Sequence, residues 1–320
     1  MSLNWRVVPR VARFVAVAAL APSLVAAEAG LAGRRPNIVL VMTDDQGYAD
    51  LACHGNPVLK TPNLDRLHDE SLRFTDFHVS PTCAPTRSCL MTGRHEFRNG
   101  VTHTILERER MTLSAFTLAQ ALKSAGYTTG IFGKWHLGDE ADYQPEKRGF
   151  DEVFVHGAGG IGQSYPGSCG DAPGNTYFDP VIRHNGRFVR TRGFCTDVFF
   201  ERAAAWIGSH QGKQPFFAYI TPNAPHSPYN APESYRARFE GRVPKEIEGF
   251  YGMIENIDDN IGRLRAALAR QGIGRETLFL SSTWGPTRAS RTMSPPRIPR
   301  SRRPCRRPTM RGGRASSPAW

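Results

Sequence analysis

Four short strand-like runs limit what this chain can fold into. They are Pro36 to Thr43 (PNIVLVMT), Tyr127 to Phe132, Pro215 to Thr221 (PFFAYIT) and Thr277 to Ser281. The first is rich in β-branched residues and does not alternate apolar with polar. It therefore reads as a strand covered on both faces, as in a parallel sheet. Helical patterns lie between the runs. Thr61 caps a helix with Pro62 at its first position, and Leu64, Leu67 and Leu72 mark the apolar side. Residues 113–125 form an amphipathic helix ended by Gly126. Thr196 to His210 carries Phe199, Phe200, Ala203 and Ile207 on one side. Residues 245–270 carry Ile254, Ile257, Ile261, Leu264 and Leu268, with Gly272 as terminator. Strands alternating with helices predict an α/β fold with a mostly parallel sheet flanked by helices. Arg73 to Ser80 partly alternates and is read as a further strand. From Gly138 to Arg192 there is no long periodic element, and Gly157 to Gly174 is read as a loop rimming a pocket.

Charge separates this core from its ends. The formal net charge of the 320 residues is +12, which taken alone would suggest a nucleic-acid partner. Pro286 to Trp320, however, holds ten arginines and no acidic residue, leaving only +2 for the first 285 residues. That tail lacks apolar periodicity and interleaved aromatics, so residues 286–320 are read as disordered and no specific nucleic-acid partner is expected. Residues 1–27 read as a secretory signal peptide: Arg6, Arg10 and Arg13 precede the apolar FVAVAALAPSLVAA, with small residues before a cut near Glu28. The expectation is a periplasmic or secreted protein with no stable membrane span once the leader is removed. The six cysteines contain no CxxC pair; a Cys169–Cys195 bridge is compatible with export.

The candidate chemistry sits where the predicted strands end. The first stops at Asp44-Asp45-Gln46-Gly47, and the carboxyl ends of strands in open α/β sheets are where ligands collect. Two adjacent carboxylates there suit a hard cation held by oxygen, calcium or magnesium, or else form an acidic turn capping the next segment. Cys83 to Arg94 (CAPTRSCLMTGR) places Cys83 at or beside a helix N-cap, with Pro85 in the first turn and Arg87 one turn on. Unpaired N–H groups, the positive helix end and a guanidinium fork suit a tetrahedral oxyanion. Cys89 is out of phase with Cys83 and is expected to pack inward. Lys134 and His136 follow the second strand and point the same way if extended; alone, they also read as a solvated lysine and a packed histidine. His226 sits between Pro225 and Pro228 beyond the third strand, as a positioned ligand or proton donor or as part of a rigid loop. Asp258-Asp259-Asn260 is read as a solvated or capping helix face, not a second metal site.

Taken in order, PNIVLVMTDDQGYADLACHG, TPNLDRL, the cysteine motif, AGYTTGIFGKWHLG and PNAPHSPY make a specific combination. Over residues 36–282 the chain resembles the type I, formylglycine-dependent sulfatases, whose architecture is alkaline-phosphatase-like. The CxPxR pattern occurs as Cys83, Pro85 and Arg87, followed by Leu90 and Thr92-Gly93, with Thr86 where serine is common. The resemblance implies that a maturation enzyme oxidises Cys83 to formylglycine. One hydroxyl of the hydrated aldehyde then attacks sulfur, and the other, once deprotonated, expels sulfate. It also implies calcium at Asp44, Asp45 and the modified Cys83. Arg87 would hold the modified residue, Lys134 and His226 would bind the sulfate oxygens, and His136 would orient or deprotonate the diol. The implied substrate is a sulfated small molecule or sulfated glycan. A phosphomonoester or phosphonate hydrolase on the same scaffold, or a non-catalytic product, are the alternative readings.

One departure accompanies the match. Where the family continues Ser-Asp-Asn-Gly, this chain has Ser282-Thr283-Trp284-Gly285, and no lysine follows Lys245. The resemblance thus implies a truncated domain lacking two calcium ligands, with impaired activity and poor stability because sheet strands would lack neighbours. Arginine- and proline-rich sequence of this kind is what a high-GC coding sequence gives out of frame, so a change of frame near residue 282 is expected. Translating the other two frames should then yield Asp-Asn-Gly.

Overall fold

The first apolar run becomes β1 (Asn37–Met42), and it lies inside the sheet rather than at its edge. The computed structural model describes residues 33–74, 77–163, 170–210 and 214–282. The leader, Cys169, Thr283, Trp284 and the arginine-rich tail lie outside the described residues, as does the pairing expected of Cys169.

Among the described residues, seven strands form one sheet in the order β5-β4-β3-β2-β6-β1-β7. β2 (Thr128–Lys134), β6 (Phe216–Thr221) and β7 (Thr277–Ser282) correspond to the other three apolar runs. β1 runs parallel to both β6 and β7, and β2 runs parallel to β6 and to β3 (Glu152–His156). β4 (Val181–His184) and β5 (Arg187–Arg190) turn antiparallel. The α/β, mostly parallel architecture is therefore as expected. Among the described residues no helix is long and apolar enough to cross a membrane.

Alternate residues of each strand serve opposite faces. Val39, Val41, Phe132, Ala218 and Ile220 pack against α4 (Cys195–Ser209) and α6 (Lys245–Arg270), through Phe199, Ala203, Ile257, Ile261 and Leu264. Leu40, Met42, Ile131, Phe217 and Tyr219 face the other way, toward Ala84 and Met91 of α2 (Cys83–Thr92) and Ala119 of α3 (Leu118–Ser124). Both faces are covered, which is why these strands read as continuous apolar runs.

Several expectations need correction. α3 starts at Leu118, not at Leu113, because Thr117 and Gln120 form a reciprocal capping box; Leu113 and Phe116 lie outside the helix and are exposed. Leu72 is 85% exposed, since α1 (Pro62–Glu70) has already ended. The described residues of Arg73 to Ser80 form no strand. The segment read as irregular between Gly138 and Arg192 supplies β3, β4 and β5. Of the two readings of Asp258, solvated or capping, the capping one holds, and the residue is buried. It accepts hydrogen bonds from Leu64 N (2.7 Å), Asn63 N (3.2 Å) and Asn63 Nδ2 (2.8 Å), and so caps α1 from another helix.

Candidate active site

Parallel strands end on the same edge of a sheet, so β1, β2, β3 and β6 deliver their following residues to one place. Asp44 follows β1 and is buried, and its N–H donates to Ala224 O (3.1 Å) in the segment after β6. Its carboxylate is paired with the Lys134 ammonium at the end of β2 and with the Arg87 guanidinium (3.2 Å) from α2. Arg87 also donates to the Lys134 backbone carbonyl (2.8 Å), and Thr221 Oγ1 donates to that same oxygen at 2.8 Å. Three strand ends and one helix thus meet on Asp44 and Lys134. Burial alone would raise the Asp44 carboxyl. The adjoining Lys134 and Arg87 charges outweigh it and hold the group at about 2. Lys134, 0% exposed, is the opposite of a solvated lysine.

This close approach of strands requires a residue with no side chain. Gly133 has φ +123°, and a Cβ there would lie 2.1 Å from the Thr221 carbonyl oxygen.

Cys83 is the first residue of α2, preceded by Thr82 in extended conformation. The helix start is fastened by Thr86 Oγ1, which donates to Ser80 O at 2.9 Å. Burial pushes the Cys83 thiol up, against the lowering pull of Lys134. An unmodified Cys83 is therefore mostly protonated at neutral pH and a weak nucleophile. Cys89, read as packing inward, is half-buried and donates to Glu96 Oε2 at 3.1 Å.

Asp45 follows Asp44 with φ +60° and a carboxylate 57% exposed. Its carboxyl is pushed up by burial and then by Asp44 beside it. His226 Nε2 lies 3.5 Å from Asp45 Oδ2, while His226 Nδ1 faces Ser227 O at 2.6 Å. His226 therefore meets Asp45 on the more exposed side of the site.

His136 is displaced from this direct contact network. Its Nε2 donates to Thr104 O (2.9 Å) and lies 3.2 Å from Glu109 Oε2. Nδ1 is then the lone-pair nitrogen, and it is buried without a hydrogen-bond partner. Burial, then the Lys134 charge, holds the ring well below the ordinary histidine value, so it is neutral.

Three polar residues of this edge escaped the sequence reading. Glu109 is buried against His136 and is pushed up to about 8 by burial, then by Asp139 and Glu140. His156 pairs in register with Lys134 on β3, stacks on Phe199 at 6.1 Å, and has no hydrogen-bond partner at either ring nitrogen. Asn223 is fully buried in the segment between β6 and His226. Only Asn223 had a signal, its place in the PNAPH segment. Glu109 lies in a charged run that looks like surface, and His156 in a stretch without a long periodic element that reads as loop.

The donor set suits a hard cation. Asp44 and Asp45 offer carboxylate oxygens, and the buried Gln46 Oε1 beside them has no hydrogen-bond partner. These are oxygen ligands of the type calcium prefers.

Residues 36–282 match the family model described as Sulfatase. The chain belongs to the sulfatase family. It is 32% identical over 262 residues to arylsulfatase J of Mus musculus, covering 80% of this chain and 44% of that protein. It is likewise 32% identical over 283 residues to arylsulfatase A of Homo sapiens, covering 80% of this chain and 53% of that one. Among solved structures, that of Ps i-CgsB in complex with k-i-k-neocarrahexaose superposes with a TM-score of 0.68 at 29% identity. The match covers 78% of this chain and 58% of that one. This sulfatase-family chain thus spans about half the length of the curated relatives it matches.

Proposed function

We propose that the chain carries the catalytic centre of a sulfuric ester hydrolase acting on a sulfated small molecule or glycan outside the cytoplasm, in the periplasm or as a secreted protein. The observation that supports this most is the buried meeting of Asp44, Arg87 and Lys134 at the strand ends where α2 begins with Cys83. Two fixed cations around one carboxylate, beside a potential nucleophile, form a site pre-arranged for a tetrahedral anion.

Matured to formylglycine, Cys83 would supply a hydrated aldehyde, one hydroxyl of which attacks sulfur while the other later releases the sulfate. A calcium ion held by Asp44, Asp45 and the modified Cys83 would supply fixed positive charge beside it. The chain's own groups have separate tasks. Lys134 is held rigidly by Asp44 and lends positive charge to the sulfuryl oxygens. Arg87 is fixed by two acceptors and orients the residue one turn before it. His226, at the more open side, binds a sulfate oxygen or donates a proton to the leaving group. His136, neutral and with Nδ1 bearing the lone pair, takes a proton from the diol.

The test compares initial rates on an aryl sulfate and the matched aryl phosphate, using chain co-expressed with a formylglycine-generating enzyme. We expect sulfate ester hydrolysis to exceed phosphate ester hydrolysis, and both to vanish in Cys83→Ala. A preference for phosphate would replace this reading with the phosphoester one.

A further inference from the structure

Outside the site described above, the loop after β1 and helix α1 bring one thiol and two imidazoles together. Cys53 and His54 lie in a short 3-10 turn (Ala52–His54), and His68 is in the last turn of α1. One ligand atom from each lies within 4.8 Å of the other two. We propose that Cys53, His54 and His68 form a second metal site, for a borderline-soft divalent cation of the zinc type.

The hydrogen bonds around the rings favour this over a chance cluster. His54 Nδ1 lies 2.7 Å from the Tyr48 carbonyl oxygen, which can only accept, so Nδ1 carries the proton and Nε2 the lone pair. The His54 ring is also held flat against Tyr48, at 4.1 Å between centroids and 7° between planes. His68 Nδ1 lies 3.1 Å from Asp69 Oδ1, again an acceptor, leaving Nε2 as the lone-pair nitrogen. A carbonyl or carboxylate behind Nδ1 is how metal-bound histidines are oriented. The two rings meet edge to face at 5.5 Å.

A cation already occupies the His68 lone pair: the Arg73 guanidinium donates to His68 Nε2. Binding a divalent ion would move Arg73 aside, break the hydrogen bond of the Cys53 thiol to the Asp65 carboxylate and release the thiol proton to solvent. The ion gains one thiolate and two neutral imidazoles, with a position open for water. Such donors differ in kind from the oxygens of Asp44 and Asp45, so calcium is not expected to compete. The metal would tie the loop that follows Asp45 to α1.

The full chain, kept in calcium, is titrated with Co2+ and then competed with Zn2+. We expect a thiolate-to-cobalt absorption band at one equivalent, bleached by zinc and retained in Cys83→Ser. Cys53→Ser should abolish the band. His68→Gln should weaken zinc binding about tenfold or more, and Asp69→Asn should weaken it by about tenfold through the ring it orients. Arg73→Gln should tighten binding severalfold. A band that persists in Cys53→Ser, or zinc affinity unchanged in both Cys53→Ser and His68→Gln, would overturn the proposal.

Discussion

At the scale of single residues, the site is built on one buried carboxylate with two cations. Replacing one partner of such a cluster leaves the remaining charges unbalanced in a medium that solvates them poorly. Lys134→Met keeps the length of the side chain and removes its charge. It should lower the unfolding free energy by about 3–5 kcal/mol, read by urea denaturation; a loss below about 1 kcal/mol would mean that Arg87 alone suffices for Asp44. Glu109 makes the opposite contribution. Its carboxyl titrates near 4.5 in the unfolded chain and at about 8 in the folded one. Below the first value it is protonated in both states. As pH rises between the two, the unfolded chain releases the proton first, so folding becomes less favourable. Glu109→Gln should remove that slope, and equal pH profiles for the two proteins would contradict the assignment. Residue chemistry was legible where it sat in a dense motif, as with Asp44, Cys83, Arg87 and Lys134. It was not legible for Glu109 and His156, whose burial is decided by distant strands.

At the scale of elements, the parallel strands announced themselves because helices cover both of their faces. β4 and β5 did not, because they are four residues each and partly exposed, too short for a period to show. β3 has only five residues and sits in glycine-rich surroundings that read as loop. The start of α3 was misplaced because Leu113 and Phe116 extend the apolar stripe, whereas the Thr117–Gln120 box decides where the backbone turns helical. α1 carries a subtler device. Thr61 does not cap it through its side chain; its hydroxyl donates to Asp65 instead (2.9 Å), and the carboxylate that caps the first turn belongs to Asp258 on α6. Asp258→Ala strips acceptors from two backbone N–H groups at once. A loss of about 1–3 kcal/mol is expected, measurable as a shift in denaturation midpoint, and an unchanged midpoint would show that water replaces the cap.

At the scale of the whole molecule, one mixed sheet places five parallel strand ends on one edge, and the ends of β1, β2, β3 and β6 together with the start of α2 supply most of the candidate groups. β7 is the outer strand beyond β1, and its residues are largely half-buried, unlike those of β1 and β6. The family and the fold class were legible from ordered motifs, because each motif marks a strand end or helix start that the topology then gathers. Cys83 is proposed as a precursor and not the working nucleophile, as its raised thiol also argues. The tryptic peptide 74–87 contains Cys83 and no other cysteine. Its mass, taken from chain co-expressed with a formylglycine-generating enzyme, is the most direct test. Loss of one sulfur and two hydrogens with gain of one oxygen is expected. A peptide recovered wholly as the thiol, from a chain that still hydrolyses sulfate esters, would contradict it.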